Sequence, residues 1–194
     1  VRLSRGLGDV YKRQFLDNKR VVLVAAPHQS GKDEYLMILI ILALDVDVCY
    51  LSAKWTMRRI PNPFEKSKDI DDQGIKWPLG WLQEIIFRKF GAIPVDRKGN
   101  SGQYDSVIEE LKKRDSFLLI VTPEGRFDAT RFRTSFLFIA KELNAEVMPV
   151  QIDYENEIFN ILESFNIEGD TESVVKNLRL KFDGIKGKKS RFKA

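Results

Sequence analysis

Short unbroken apolar runs alternate along this chain with longer stretches whose apolar positions recur at helical spacing. The run Val21-Val22-Leu23-Val24-Ala25-Ala26 has no polar break, as in a strand buried on both faces. The same reading places strands near 20–26, 47–52, 92–95, 116–121 and 147–152. Helices are predicted near 33–44, 78–90, 102–114, 131–143 and 171–184. In the predicted helix over 102–114, Val107, Ile108 and Leu111 share one face, with charges opposite. Phe132, Phe136, Ile139 and Ala140 share one face of another, which is expected to be core rather than a lipid-binding stripe. Alternation of this kind predicts an α/β fold, one layered domain with a mostly parallel sheet flanked by helices. No internal repeat is visible.

Residues 58–75 break the pattern. Pro61, Asn62, Pro63 and a run of charges make this stretch a loop, either a lid near a substrate entry or an insertion. Trp77-Pro78-Leu79-Gly80-Trp81-Leu82 follows, and its paired tryptophans fit either a bilayer interface or packing onto the sheet. Residues 1–14 look unlike the rest and are taken as a non-native or disordered leader, the chain being a fragment whose own N-terminal helix or strand is missing. The domain is then expected over 15–187, with a basic tail at 188–194.

Charge and cysteine content narrow the class. The net charge of +4 is uneven, with +4 in residues 1–20, +5 in residues 181–194 and −5 between. Basic ends suit an anionic lipid surface or are simply solvated. No aromatic-interleaved basic patch or known motif supports nucleic acid, so none is expected as a partner. Cys49 is the single cysteine, so no internal disulfide can form, and its strand setting predicts a core residue rather than a nucleophile. A zinc site normally needs three Cys or His ligands, and no metal is expected. The longest apolar run, Leu36–Leu44, is nine residues, well short of a membrane span.

The chemistry concentrates where the first strand ends. His28, the only histidine, follows that strand, and Asp33 comes five positions later at the start of a predicted helix. A carboxylate at a helix N-terminus accepts backbone N–H bonds and meets the positive end of the dipole. It can also hold an imidazole in one tautomer and strengthen it as a base. An ordinary loop histidine is the plainer alternative. Ala26-x4-Gly31-Lys32 also resembles a degenerate phosphate-binding P-loop, although Asp33 stands where that motif needs Ser or Thr and would repel phosphate.

Three more segments follow in order: Gly91-Ala92-Ile93-Pro94-Val95-Asp96-Arg97, Val121-Thr122-Pro123-Glu124-Gly125-Arg126-Phe127 and Val147-Met148-Pro149-Val150-Gln151-Ile152. With His28-x4-Asp33, they resemble the four motif blocks of the glycerolipid acyltransferases, the 1-acylglycerol-3-phosphate acyltransferase type, from about Arg20 to about Gly187. The third block of that family usually reads Glu-Gly-Thr-Arg, and here Arg126 stands in the Thr place and Phe127 in the Arg place. The first block usually carries Asn and an aromatic before the Asp, where this chain has Gly31-Lys32.

The resemblance implies a glycerolipid acyltransferase-like fold and an O-acyltransferase. It implies His28 as general base and Asp33 as its orienting partner. It implies Arg97 and Arg126 as grips on an anionic acceptor, with Arg131 and Arg133 as alternatives to Arg126. Glu124 and Gly125 would bind the acceptor's polar part, and Lys54 falls where relatives often have a lysine. The expected reaction moves a fatty acyl chain from acyl-CoA or acyl carrier protein to a lysophospholipid, foremost 1-acyl-sn-glycerol 3-phosphate, giving phosphatidic acid. It needs no cofactor and no metal, because the thioester is already activated. The implied partners are the acceptor, the acyl donor and an anionic membrane surface, with the chain peripheral on the cytoplasmic face. A P-loop nucleotide-binding protein, an inactive lipid-binding relative and an acyltransferase for another lipid acceptor stay open.

Overall fold

A computed structural model describes residues 19–30, 33, 48–60, 74–95, 104–125 and 132–193. In chain order the elements are β1 (Arg20–Ala26), β2 (Val48–Ala53), a 3₁₀ turn (Lys54–Met57), β3 (Arg59–Ile60), β4 (Ile75–Lys76), α1 (Gly80–Lys89), β5 (Ala92–Val95), α2 (Asp105–Lys112), β6 (Phe117–Val121), α3 (Ser135–Glu142), β7 (Glu146–Asp153), β8 (Ile158–Ile161) and α4 (Thr171–Leu180). The chain divides into two compact units, Val1–Asp47 with Asp115–Ala194, and Val48–Arg114.

In the first unit the strand order is β6-β1-β7-β8. Strand β1 is parallel to both neighbours, with Val22 opposite Leu119 on β6 and opposite Val147 on β7. A strand flanked in this way has side chains covered on both faces, which is why Val21 to Ala26 are all buried and why the run needs no polar residue. Strand β8 turns back antiparallel along β7, pairing Ile152 with Phe159. On α3, Phe136, Leu137, Ile139 and Ala140 are buried, so the apolar face predicted there is core. Phe132, Phe182 and Phe192 meet with centroids 5.3–6.1 Å apart, and the Arg179 guanidinium lies over two of the rings. Aromatic contacts of this geometry add about 0.5–1.5 kcal/mol each beyond area burial. They bind the end of the described chain to the domain core.

The second unit pairs β2 with β5 in parallel, Tyr50 opposite Ala92, and carries the small antiparallel hairpin β3–β4. Val107, Ile108 and Leu111 on α2 are buried, as their spacing predicts, and Cys49 is fully buried. The five predicted strands are all present, and most of the pairing is parallel, as expected for α/β.

Three differences have physical causes. Helices α1 and α3 stop at Lys89 and Glu142, just ahead of the left-handed Gly91 and Asn144 that turn the chain out of the helix, and Phe132 and Leu143 are buried outside the helix proper. The β3–β4 strands have two residues each, too few to register as a pattern. Strand β8 is exposed along most of its length, so burial imposed no alternation on it. The predicted helix over 33–44 lies outside the described residues apart from Asp33, as does most of the 58–75 loop. No helix among the described residues is long and apolar enough to cross a membrane.

Candidate active site

Three parallel strands that run side by side release their chains at one edge, and in α/β sheets that carboxyl edge is where ligands bind. Strand β1 delivers His28 there, β6 delivers Glu124 and β7 delivers Tyr154. All three belong to the first unit. His28, Asp33 and Glu124 are the buried polar residues of the described core.

Asp33 is the hub. Its Oδ2 accepts the backbone N–H of Gln29 at 2.8 Å and of Ser30 at 2.9 Å, and lies 3.2 Å from Nδ1 of His28. Its Oδ1 accepts from the Ser30 hydroxyl at 3.2 Å and from the Tyr154 hydroxyl. Burial pushes this carboxyl up, but the donors from His28, Tyr154, Ser30 and Gln29 outweigh it and hold the group at about 2. Asp33 is therefore ionised at any physiological pH. An ionised acceptor at Nδ1 keeps the imidazole proton on that nitrogen, which makes Nε2 the basic atom.

These donors bear on the P-loop alternative. A phosphate-binding loop needs its backbone N–H groups for the ligand. Here the N–H groups of Gln29 and Ser30 both point to Asp33. Within the described part of the loop, the anion these N–H groups meet is the Asp33 side chain.

Glu124 closes the other side of the loop. Its Oε1 accepts the His28 backbone N–H at 3.1 Å. Burial raises its carboxyl to about 7, against the pull of the N–H donors of Glu124 itself and His28. Its Oε2 is buried and has no hydrogen-bond partner. The turn that carries it is closed by Gly125 N–H to Thr122 O at 3.0 Å, with Gly125 at φ +64°. A side chain at 125 would also meet the Arg133 Nε at 2.9 Å. Glycine thus lets an arginine lie directly over the Glu124 turn, and the Arg133 backbone N–H bonds Pro123 O at 2.8 Å.

Of the site residues expected from sequence, the structure brings together His28, Asp33, Glu124 and Gly125. Lys54 is exposed at the first position of the 3₁₀ turn in the second unit. Arg97 and Arg126 lie outside the described residues, as do Lys32 and Arg131. Arg133, the alternative to Arg126, is the described arginine of the third block.

Two participants escaped the sequence reading. Tyr154 sits just past the predicted end of its strand, where rim groups gather, and three strands read as parallel would have pointed to it. Gln29 had no sequence signal at all. Its Oε1 accepts the N–H groups of Lys189 at 2.8 Å and Ser190 at 2.9 Å, and its Nε2 donates to Ser190 Oγ at 3.0 Å. Gly187 permits this approach, since a Cβ there would lie 2.6 Å from the Gln29 side chain. The basic segment expected as a tail is further pinned by Arg191, whose guanidinium grips Glu155 at 2.6 and 2.7 Å. It braces the histidine loop.

Tyr154 carries a first testable consequence. Burial and then the Asp33 carboxylate push its phenol above the ordinary value, so it remains a donor. Tyr154→Phe should lower stability at neutral pH by about 2 kcal/mol, the range for a hydrogen bond to a charged group. Because the hydroxyl helps depress Asp33, the loss should be full above the unfolded pKa of 3.8 and fade as pH falls through about 2. Urea titrations of both proteins across acid pH test this, and a difference that ignores pH would mean that the hydroxyl does not hold the Asp33 charge.

These features define an α/β protein with a buried histidine–aspartate pair at the carboxyl edge of a mostly parallel sheet. No family model matches the chain, and no curated protein or solved structure matches it.

Proposed function

We propose that this chain is an O-acyltransferase that moves a fatty acyl group from acyl-CoA or acyl carrier protein to a lysophospholipid. The observation that carries the reading is the His28 Nδ1–Asp33 contact at 3.2 Å, with Asp33 buried and held ionised by further donors. Such a pair is a general base with a fixed tautomer. In the proposed reaction Nε2 takes the proton of the acceptor hydroxyl as its oxygen attacks the thioester carbonyl. The carbon–sulfur bond then breaks, and the imidazolium returns the proton to the leaving thiolate. No covalent enzyme intermediate is needed.

The order of the four sequence blocks supports a glycerolipid acceptor, with 1-acyl-sn-glycerol 3-phosphate first and phosphatidic acid as product. An anionic headgroup calls for fork-shaped donors. Arg97 and one arginine of the third block are proposed for this role. Arg133 gains weight over Arg126 from its place on the Gly125 turn. Lys54 is retained as a further substrate contact, and a peripheral position on the cytoplasmic face of a membrane completes the proposal.

The test is thiol release from one long-chain acyl-CoA in the presence of a panel of acceptors: lysophosphatidic acid, other lysophospholipids, an amino lipid and a glycolipid. Acceptor-dependent release, strongest with lysophosphatidic acid, is the expected result. Release no faster than without acceptor across the panel would overturn the reading.

A further inference from the structure

In most surface helices the apolar stripe faces inward and the polar residues face water. Helix α1 reverses this. Its less exposed positions are Gly80, Gln83, Glu84 and Phe87, of which only Phe87 is a large apolar side chain. The Gln83 amide donates to the carbonyls of Thr56 at 2.7 Å and Arg59 at 3.1 Å, and its oxygen accepts from the Trp77 indole at 2.7 Å. Gly80 is buried, and a Cβ there would lie 2.6 Å from Arg58 O. The exposed side chains are Leu79, Trp81, Leu82, Ile85, Ile86 and Phe90, with Trp81, Ile85 and Phe90 at 57%, 54% and 59% exposure. Trp81 and Ile85, like Leu82 and Ile86, are four apart and stack along one side of the helix. This is a contiguous apolar face, not a scatter of single residues.

The surroundings say what covers it. The described residues from 54 to 90 carry Lys54, Arg58, Arg59, Lys76, Arg88 and Lys89 against one acid, Glu84. That acid is shared by Arg58 and by Arg88, the latter at 3.0 Å. With residues 61–73 counted, the stretch still has a net charge of +3. A second copy seated on this face would bring a second rim of the same net positive charge against the first. An anionic lipid surface instead supplies hydrocarbon for the apolar stripe and opposite charge for its rim, and tryptophan favours that boundary.

We propose that the Leu79–Phe90 face of α1 docks in the plane of an anionic phospholipid bilayer. Trp81, Ile85, Ile86 and Phe90 enter the headgroup–acyl boundary, while Arg88, Lys89 and Lys76 meet lipid phosphates. Trp77 is not an anchor, because its indole is committed to Gln83. The inference gives the acyltransferase proposed above its place of work and rests on that reading for its biological purpose alone. The binding is measured without turnover.

The experiment is co-sedimentation of the full chain with vesicles of phosphatidylcholine alone or with a third phosphatidylglycerol, at low and high salt. Wild type is expected to partition to the anionic vesicles with a blue-shifted tryptophan emission. Ile85→Gln with Phe90→Gln should weaken partitioning by about tenfold or more, since both side chains lose the hydrocarbon they would bury at the boundary. Arg88→Gln with Lys89→Gln should remove most of the preference for anionic vesicles. Circular dichroism confirms that the exposed substitutions leave the fold in place. Wild type remaining in the supernatant, or apolar variants binding as well as wild type, would overturn the proposal. So would a dimer that Ile85→Gln dissolves in the absence of vesicle binding, which would make a second copy the occupant. Thiol release with a micellar acceptor, assayed in parallel, separates failure of this face from failure of the acyltransferase reading.

Discussion

His28→Ala should lower acyl-transfer turnover by about 10²–10⁴-fold, the usual contribution of a positioned base, and leave a folded protein. The histidine follows a buried strand, with its Nδ1 on an ionised carboxylate that leaves Nε2 as its basic atom. The fold should survive because Asp33 keeps the Gln29 and Ser30 N–H groups and the Tyr154 hydroxyl as donors, and the loop keeps its latch through Gln29 to Lys189 and Ser190. The measurement is single-acceptor turnover of purified wild type and variant with matched circular dichroism and thermal unfolding. Near-normal turnover in the folded variant would remove His28 from the mechanism. A turnover loss accompanied by a collapsed melting curve would point to a structural role for the histidine. The effect should lie in kcat more than in KM, because proton abstraction belongs to the transition state and not to binding.

How much of this was written in the sequence depends on what each residue answers to. Strand β1 was legible because full burial on both faces forbids any polar break, and Val21–Ala26 has none. Asp33 was legible because a carboxylate five residues past a strand-end histidine has few other uses than capping a turn and orienting the ring. Glu124 was legible as a position, but not its protonation, since the rise to about 7 comes from burial that only the assembled sheet provides. The particular contacts of Tyr154 and Gln29 were not legible, for one shared reason. Their partners lie 121 and 161 residues away along the chain, Asp33 for one and Ser190 for the other, and no local pattern encodes such a pairing. The outward apolar face of α1 was hidden by its own periodicity. Helical spacing of apolar residues reveals a stripe but not whether it faces the core or the solvent, and Gln83 decides that by spending its hydrogen bonds inward.

Glu124→Gln should shift the balance between variant and wild-type stability by about 3 kcal/mol in favour of glutamine between roughly pH 4 and pH 8. The folded protein binds the Glu124 proton more tightly than the unfolded chain, at about 7 against 4.5. The stability linked to this proton is therefore complete below 4.5 and is lost as pH rises through about 7. Asp33 works in the opposite sense and in another window. Its contribution is present above 3.8 and disappears as pH falls through about 2, so it cancels between the two proteins over the range compared. Glutamine keeps an oxygen to accept the His28 N–H and never ionises. Any fixed cost of placing its amide where Oε2 now lies unpartnered applies equally at both ends of the range and drops out of the comparison. Urea unfolding of both proteins at a series of pH values gives the answer directly. A gap between the two curves that stays constant from acid to alkaline pH would show that Glu124 titrates as an ordinary carboxylate, and that the buried site tolerates its charge beside Asp33.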